Sequence, residues 1–267
     1  MTVPISARNE GDARPLVASI WTRVRRHRSG PLLTHSLLLA GILLASNVHA
    51  DTPPTLSPAT TPAEANLLDI RSLVPDIAED IEYAGSDNFV GRPVAGYQAA
   101  KCLLLKPAAT ALARVEENLR QHHLRLKLFD CYRPAQAVAD FVRWAHDLSD
   151  QRSKAAHYPL LDKRELLGAY IASVSGHSRG ATVDLTMMQC DTHGSHCQPL
   201  DMGTQFDYFG TLAHTDAAAI TGAQHSNRLR LRAAMQRAGF SNYPLEWWHY
   251  TLEPEPTPHT IYNVLIK

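Results

Sequence analysis

Ser-Gly-His-Ser-Arg-Gly-Ala-Thr-Val-Asp at residues 175–184 and Glu-Trp-Trp-His at residues 246–249 are the two stretches from which this 267-residue chain is read. They supply two imidazoles and two carboxylates: His177, Asp184, His249 and Glu246. Three neutral or anionic N/O ligands, one open position and a spare carboxylate are the inventory of a catalytic zinc site, where the ion lowers the pKa of its water to about 7. His177, Asp184 and His249 are the candidate ligands, and Glu246 the candidate base. The step from His177 to Asp184 exceeds one helical turn and suits a loop ligand followed by one on the next strand. Gly180 supplies the positive φ at which such a loop folds back. The residues therefore point to a zinc hydrolase.

The chain contains 14 histidines, so a single one is ordinarily a surface or satisfied core group. What singles out His177 is its company: Asp184 in the same glycine-bearing loop and an E-x-x-H block flanked by aromatics. A structural zinc is the rival for these residues, but closed sites favour cysteine and fill all four positions. Here a carboxylate is left over. Trp247 and Trp248 invite comparison with a sugar-binding platform. Packing that fixes the rotamers of Glu246 and His249 is the reading preferred, because paired aromatics bury much area and hold neighbours rigidly.

Working outward, Leu124-Arg125-Leu126-Lys127-Leu128 alternates as a half-buried strand, and Pro134 favours the first turn of a helix. Arg133 thus sits at a strand-to-helix junction. Taken alone it reads as a surface ion-pair partner. Helical faces are expected over 107–121 (Leu112, Val115, Leu119), 134–148 (Val138, Phe141, Val142, Ala145) and 228–238, the last stopping at Gly239. Val183 and Leu185 flank Asp184 in a strand pattern, and late strands are expected over 245–252 and 261–266. The fold class is α+β: a single domain with a small antiparallel sheet flanked by helices and the zinc site on the sheet.

The pattern S-x-H-x-x-G-x-A-x-D followed by E-W-W-H resembles the VanX-type D-alanyl-D-alanine dipeptidases. Tyr83-Ala84, Asn88-Phe89, Gly91 to Val94, Gly96-Tyr97 and Asp130 to Pro134 agree with it, and the likeness runs from about Leu68 to the C-terminus. The resemblance implies His177, Asp184 and His249 as zinc ligands, Glu246 as general acid/base, and Arg133 as stabiliser of the tetrahedral intermediate. It also implies Asp207 near the substrate ammonium, with Ser175 lining the same pocket. On their own, Asp207 reads as a turn or cap residue and Ser175 as a shaper of backbone. Thr182 departs from the pattern, standing where the family has alanine.

At the N-terminus, Arg23, Arg25, Arg26 and Arg28 precede an apolar run from Ser36 to Ser46, and Val48-His49-Ala50 supplies small residues two apart. Residues 1–50 read as a signal peptide. About a dozen apolar residues fall short of the ~20 that span a bilayer, so no stable membrane anchor is expected after cleavage. Residues 51–66 read as a flexible leader and 67–267 as the zinc dipeptidase domain. The first 50 residues carry six of the 26 Lys+Arg and two of the 26 Asp+Glu, so 20 basic face 24 acidic groups beyond them, a net charge of about −4. That balance argues against a nucleic-acid partner.

Export places the protein in the periplasm or outside the cell, where four cysteines pair by default. Cys190 and Cys197 bracket a short polar loop and are expected to bridge each other, with Cys102 bridged to Cys131. The rival is a second zinc site at Cys190, His193, His196 and Cys197. It lacks the C-x-x-C form, and oxidised thiols cannot bind metal as thiolates.

Three functions follow. The first is hydrolysis of the small dipeptide D-alanyl-D-alanine with one Zn2+ per chain, in cell-wall turnover or salvage. The second is a D,D-carboxypeptidase on longer peptidoglycan peptides. The third is a non-catalytic zinc-binding module of the wall.

Overall fold

The computed structural model describes residues 53–267, so the signal-peptide reading of residues 1–50 lies outside the described residues. In chain order the strands and helices are β1 (Thr55–Leu56), β2 (Leu67–Asp69), β3 (Ala78–Glu79), β4 (Leu103–Leu105), α1 (Lys106–Arg120), β5 (Leu124–Asp130) and α2 (Ala135–His146). There follow α3 (Lys154–His157), β6 (Thr182–Gln189), β7 (Gln198–Pro199), α4 (Gly222–Arg237), β8 (Phe240–Asn242), β9 (His249–Leu252) and β10 (Thr260–Ile261).

The main sheet runs β3-β5-β6-β9-β8, with β7 paired to the far end of β6. In β5 the alternation is realised: Leu124, Leu126 and Leu128 are buried, and the strand packs against α1, whose apolar face is Leu112, Val115 and Leu119. β6 is buried along nearly its whole length, with Val183, Leu185 and Met187 in the core. Asp184, one residue from each of the first two, projects from the opposite face, as period 2 requires. α4 packs on β8 and on α1. Among the described residues, no helix is long and apolar enough to cross a membrane.

The structure corrects the expected antiparallel sheet. β3 pairs in parallel with β5, and β1 in parallel with β10 in a separate two-stranded sheet. The link from β3 to β5 carries β4 and α1, a crossover long enough to bring the chain back in the same direction. β1 also lies inside the segment expected to be a flexible leader: Thr55 N–H donates to His259 O at 2.8 Å and Ser57 N–H to Ile261 O at 2.8 Å.

Three element boundaries differ from expectation by more than two residues. The late strand begins at His249, not at Leu245, because the buried Glu246-Trp247-Trp248 run forms a turn. Their amides leave the ladder: Glu246 N–H donates to Tyr243 O and Trp247 N–H to Ala213 O. The last strand covers only Thr260–Ile261, and Ile266 makes an isolated bridge to Tyr97. Helix α4 starts six residues early, at Gly222, under a Thr221/Gln224 capping box that satisfies two otherwise orphaned backbone amides. It stops as expected before Gly239, which has φ +94°.

Both disulfides join the expected partners, Cys102 to Cys131 and Cys190 to Cys197. A second zinc site on Cys190 and Cys197 is thereby removed, since both sulfurs are bonded to each other.

The Gly91-to-Val94 stretch is tied to α2 through Asp140. That carboxylate accepts both Arg92 Nη atoms at 2.8 and 2.9 Å, Arg143 Nη2 at 2.9 Å and Ala95 N–H at 3.1 Å. The Arg92 hydrogen bonds, helped by the others, hold its pKa down to about 2. A depressed carboxylate stabilises the fold above its unfolded pKa of about 3.9, and that contribution fades as pH falls through the folded value. Thermal melts should thus show Tm falling more steeply between pH 4 and pH 2 in the wild type than in Asp140→Asn. Parallel curves would deny Asp140 this role.

Candidate metal and catalytic site

The sheet register builds the site. Asp184 on β6 lies opposite Asp130 on β5 and opposite His249 on β9, so the three side chains form a row on one face. His177 reaches the row from a single 3-10 turn, Gly176–Arg179, whose first amides are capped when Ser175 Oγ accepts from His177 N–H. The turn ends at Gly180 with φ +77°, where a Cβ would press on Leu67 and Leu105 at 3.0 and 3.1 Å. Only glycine fits that bend, and the chain then enters β6. Thr182, buried, pairs its hydroxyl with Thr251 across the strands at 2.9 Å, which gives the departure from the family pattern a partner of its own.

His177 Nε2 lies 3.1 Å from Asp184 Oδ2, His249 Nδ1 lies 3.0 Å from Asp184 Oδ1, and the two imidazole nitrogens face each other at 3.2 Å. Tetrahedral ligands about 2.0–2.1 Å from a zinc ion are themselves roughly 3.3 Å apart, so the spacing suits one small cation. His177 Nδ1 sits 2.7 Å from Cys131 O; a carbonyl can only accept, so that nitrogen carries the proton and Nε2 presents its lone pair. Asp184 Oδ1 is buried without a hydrogen-bond donor, as a carboxylate oxygen reserved for an ion would be. Among the described residues this trio is the one His/Cys/Asp/Glu group with metal-holding spacing. Burial alone would raise the Asp184 pKa, but His177 and His249 outweigh it and hold the carboxyl well below the usual range.

Glu246 leads the turn that ends at His249, its Oε2 3.5 Å from His249 Nδ1. Burial, and then the charge of Asp184, push its pKa up to about 8. Arg133, three residues beyond β5, folds back so that Nε and Nη2 both meet Asp130 Oδ2 at 2.9 Å. Its Nη2 stands 3.5 Å from Asp184 Oδ2, and its guanidinium carbon lies 5.1 Å from the Tyr83 ring centroid and 4.9 Å from that of Phe141.

Asp130 is the residue that sequence reasoning missed. Besides holding Arg133, it accepts from Tyr97 OH at 2.6 Å and lies 3.5 Å from His177 Nδ1. A carboxylate ending an apolar strand, followed directly by the Cys-Tyr-Arg-Pro run, was the available signal.

Asp207 and Ser175 line the same cavity as His177, Asp184, Glu246 and His249, a space of about 200 Å3. Asp207 adopts φ +54°, a left-handed conformation uncommon outside glycine but tolerated by aspartate. Tyr83 OH donates to its Oδ2 at 2.6 Å, and its carbonyl meets His157 Nδ1 at 2.9 Å. Burial drives the Asp207 carboxyl well above its ordinary range, with the Tyr83 hydrogen bond opposing. Trp247 and Trp248 are 2% and 1% exposed, too enclosed for a sugar platform. Their rings pack edge to face at 5.3 Å, and Trp247 Nε1 donates to Thr204 Oγ1 at 2.8 Å.

The family model described as D-ala-D-ala dipeptidase, of the M15 peptidases, matches residues 63–267. A D-alanyl-D-alanine dipeptidase of Streptomyces coelicolor is 41% identical over 195 residues, covering 73% of this chain and 95% of that protein. One from Enterococcus faecalis is 37% identical over 205 residues, covering 76% of this chain and all of that protein. One from Escherichia coli is 35% identical over 189 residues, covering 70% and 84%. With its ligand row, its E-W-W-H turn and this coverage, the chain belongs to the D-Ala-D-Ala dipeptidase family of peptidases.

Proposed function

We propose that this chain is a zinc-dependent dipeptidase that hydrolyses D-alanyl-D-alanine to D-alanine. The observation that carries the proposal is the meeting of His177, Asp184 and His249 with Glu246 and Arg133 around one small cavity. Its volume of about 200 Å3 lies below the roughly 300–1,000 Å3 of pockets that take drug-sized ligands, which favours a dipeptide over a longer peptide.

His177 Nε2, the Asp184 carboxylate and His249 Nδ1 are the atoms that would hold the ion. Bound there, zinc supplies Lewis acidity and acidifies water at neutral pH. Glu246 takes the proton of the attacking water and returns it to the leaving amine. Its raised pKa suits that exchange, and a divalent charge beside it draws the value back toward neutrality. Arg133 donates to the oxygen on which negative charge develops. Asp130 fixes its direction and, although burial alone would lower the guanidinium pKa, raises it well above the ordinary value. Asp207 faces the substrate ammonium, whose charge would restore its own ionisation, and Ser175 closes the wall beside His177.

Arg133→Lys should lower kcat about 100-fold with little change in bound zinc, since a donor aimed at the transition state is worth about 3 kcal/mol. Steady-state kinetics beside metal analysis checks this, and wild-type kcat in the variant would remove Arg133 from the reaction.

Residues 1–50 serve in this reading as the export signal and 51–66 as the leader to the catalytic domain at 67–267. The reaction then occurs in the periplasm or outside the cell, in cell-wall peptide turnover or salvage. The deciding experiment compares release of D-alanine from D-Ala-D-Ala and from a pentapeptide precursor. Turnover of the dipeptide alone is expected. The reverse preference makes the protein a D,D-carboxypeptidase, and zinc binding without turnover of either makes it a wall-associated binding module.

A further inference from the structure

The turn that presents both Glu246 and His249 has a brace behind it that the reaction itself does not use. Asn242, the last residue of β8, sends its side-chain Nδ2 to Glu246 O and to His249 O, each at 3.1 Å. One amide group thus grips the first and last residues of the E-W-W-H turn. Its direction is set by Thr215, 1% exposed, whose hydroxyl donates to Asn242 Oδ1 at 2.5 Å. A hydroxyl can serve either role, but an amide flipped end for end would aim Oδ1 at two carbonyls, acceptor against acceptors. Thr215 N–H also donates to Pro244 O at 2.9 Å, and Trp247 N–H to Ala213 O at 3.0 Å, so the 213–215 segment backs the turn from outside.

The turn's C-terminal half is held by the sheet, with Trp248 O accepting from Leu185 N–H at 3.1 Å and His249 O from Tyr243 N–H at 3.0 Å, but the Glu246 end has left the ladder and needs support. His249 N–H reaches Glu246 O at 3.3 Å, a long contact for closing a turn. Without the Asn242 amide, Glu246 O would keep only that long bond from His249 N–H, while His249 O would keep the bond from Tyr243 N–H at 3.0 Å. A slack of a fraction of an ångström there moves Glu246 Oε2 and His249 Nδ1, 3.5 Å apart, relative to each other.

We propose that Asn242, oriented by Thr215, is a positioning residue that holds the general base and a metal ligand in one geometry. It touches neither substrate nor metal, and its effect passes through the main chain of the turn. The inference rests on the proposed zinc dipeptidase activity for its kinetic readout but not for its metal readout.

The test uses the full-length enzyme with Asn242→Ala, Asn242→Asp, Thr215→Val and Thr215→Ser. Zinc affinity is measured by competition with a chromogenic chelator, kcat and KM on D-Ala-D-Ala at 25 °C, and Tm separately. Loss of an outer partner of a ligand ordinarily costs about 10–100-fold in metal affinity or activity. Asn242→Ala and Asn242→Asp should each lose that much in kcat and about tenfold in zinc affinity, with KM within twofold. Thr215→Val should follow them in part, while Thr215→Ser, which keeps the hydroxyl, should match the wild type. Lowered Tm with unchanged zinc affinity and kcat in Asn242→Ala, or in Thr215→Val should the first variant fail to fold, would overturn the proposal. If wild type binds zinc but does not cleave the dipeptide, the substrate reading fails while the zinc competition still decides the role of Asn242.

Discussion

Glu246→Gln should retain zinc and lose kcat by about 10^3-fold or more. General acid–base catalysis by a positioned side chain contributes roughly 10^2–10^4-fold, and Glu246 is asked to act twice, first accepting the water's proton and then delivering it to the amine. Glutamine keeps the shape and the buried volume but can do neither. The carboxyl lies 3.5 Å from His249 Nδ1, close enough to act on a water beside the ligand row, and burial, then the Asp184 charge, push it up to about 8, a poise suited to gaining and losing a proton near neutrality. KM should stay within a few-fold, because the dipeptide's ends are met elsewhere. Metal analysis must accompany the kinetics: full zinc with residual turnover near the uncatalysed level is the expected pair of results. A Glu246→Gln enzyme with wild-type kcat would assign the proton transfer to another group.

His177→Ala should release the metal and reduce activity to background. Three ligands hold a catalytic zinc, and the two left, Asp184 and His249, would not complete the set. The expected measurement is a zinc stoichiometry near zero after dialysis, with turnover not restored by micromolar zinc. Removal of the Nδ1 contact to Cys131 O adds a local cost, so His177→Gln, which fills more of the space, separates metal loss from disorder of the turn. If either variant binds one zinc as tightly as wild type, His177 is not a ligand.

The chemistry was legible in the sequence more fully than the architecture. His177, Asp184, His249 and Glu246 carry side chains whose types are rare in combination, and the glycine between the first two has one geometric use, realised at φ +77°. Strand β5 was legible because Leu124, Leu126 and Leu128 alternate with charges. Strand β3 was not: two residues, Ala78 and Glu79, hold no periodicity, and their parallel pairing with β5 depends on a crossover that local pattern does not encode. The Leu245-to-Leu252 run misled because Trp247 and Trp248, read as strand residues, are buried by a turn. The start of α4 was hidden because its first turns are polar and mostly exposed, although Thr221 and Gln224 already spelled the cap. Asp130 needed three dimensions: its partners Tyr97, Arg133 and His177 come from separate parts of the chain.

The alignment of Asp130, Asp184 and His249 across three neighbouring strands has a bearing on which length changes this enzyme can accept. Deleting or adding one residue between Gly180 and Asp184 would rotate the aspartate to the sheet's other side, where Val183 and Leu185 now pack, and no side-chain rearrangement could return it. The Asp191-to-His196 segment, closed off by its own sulfur link at the far end of β6, carries no such constraint. Engineers seeking to graft a tag or shorten the protein should cut there, beyond the strand whose phase the catalytic row obeys.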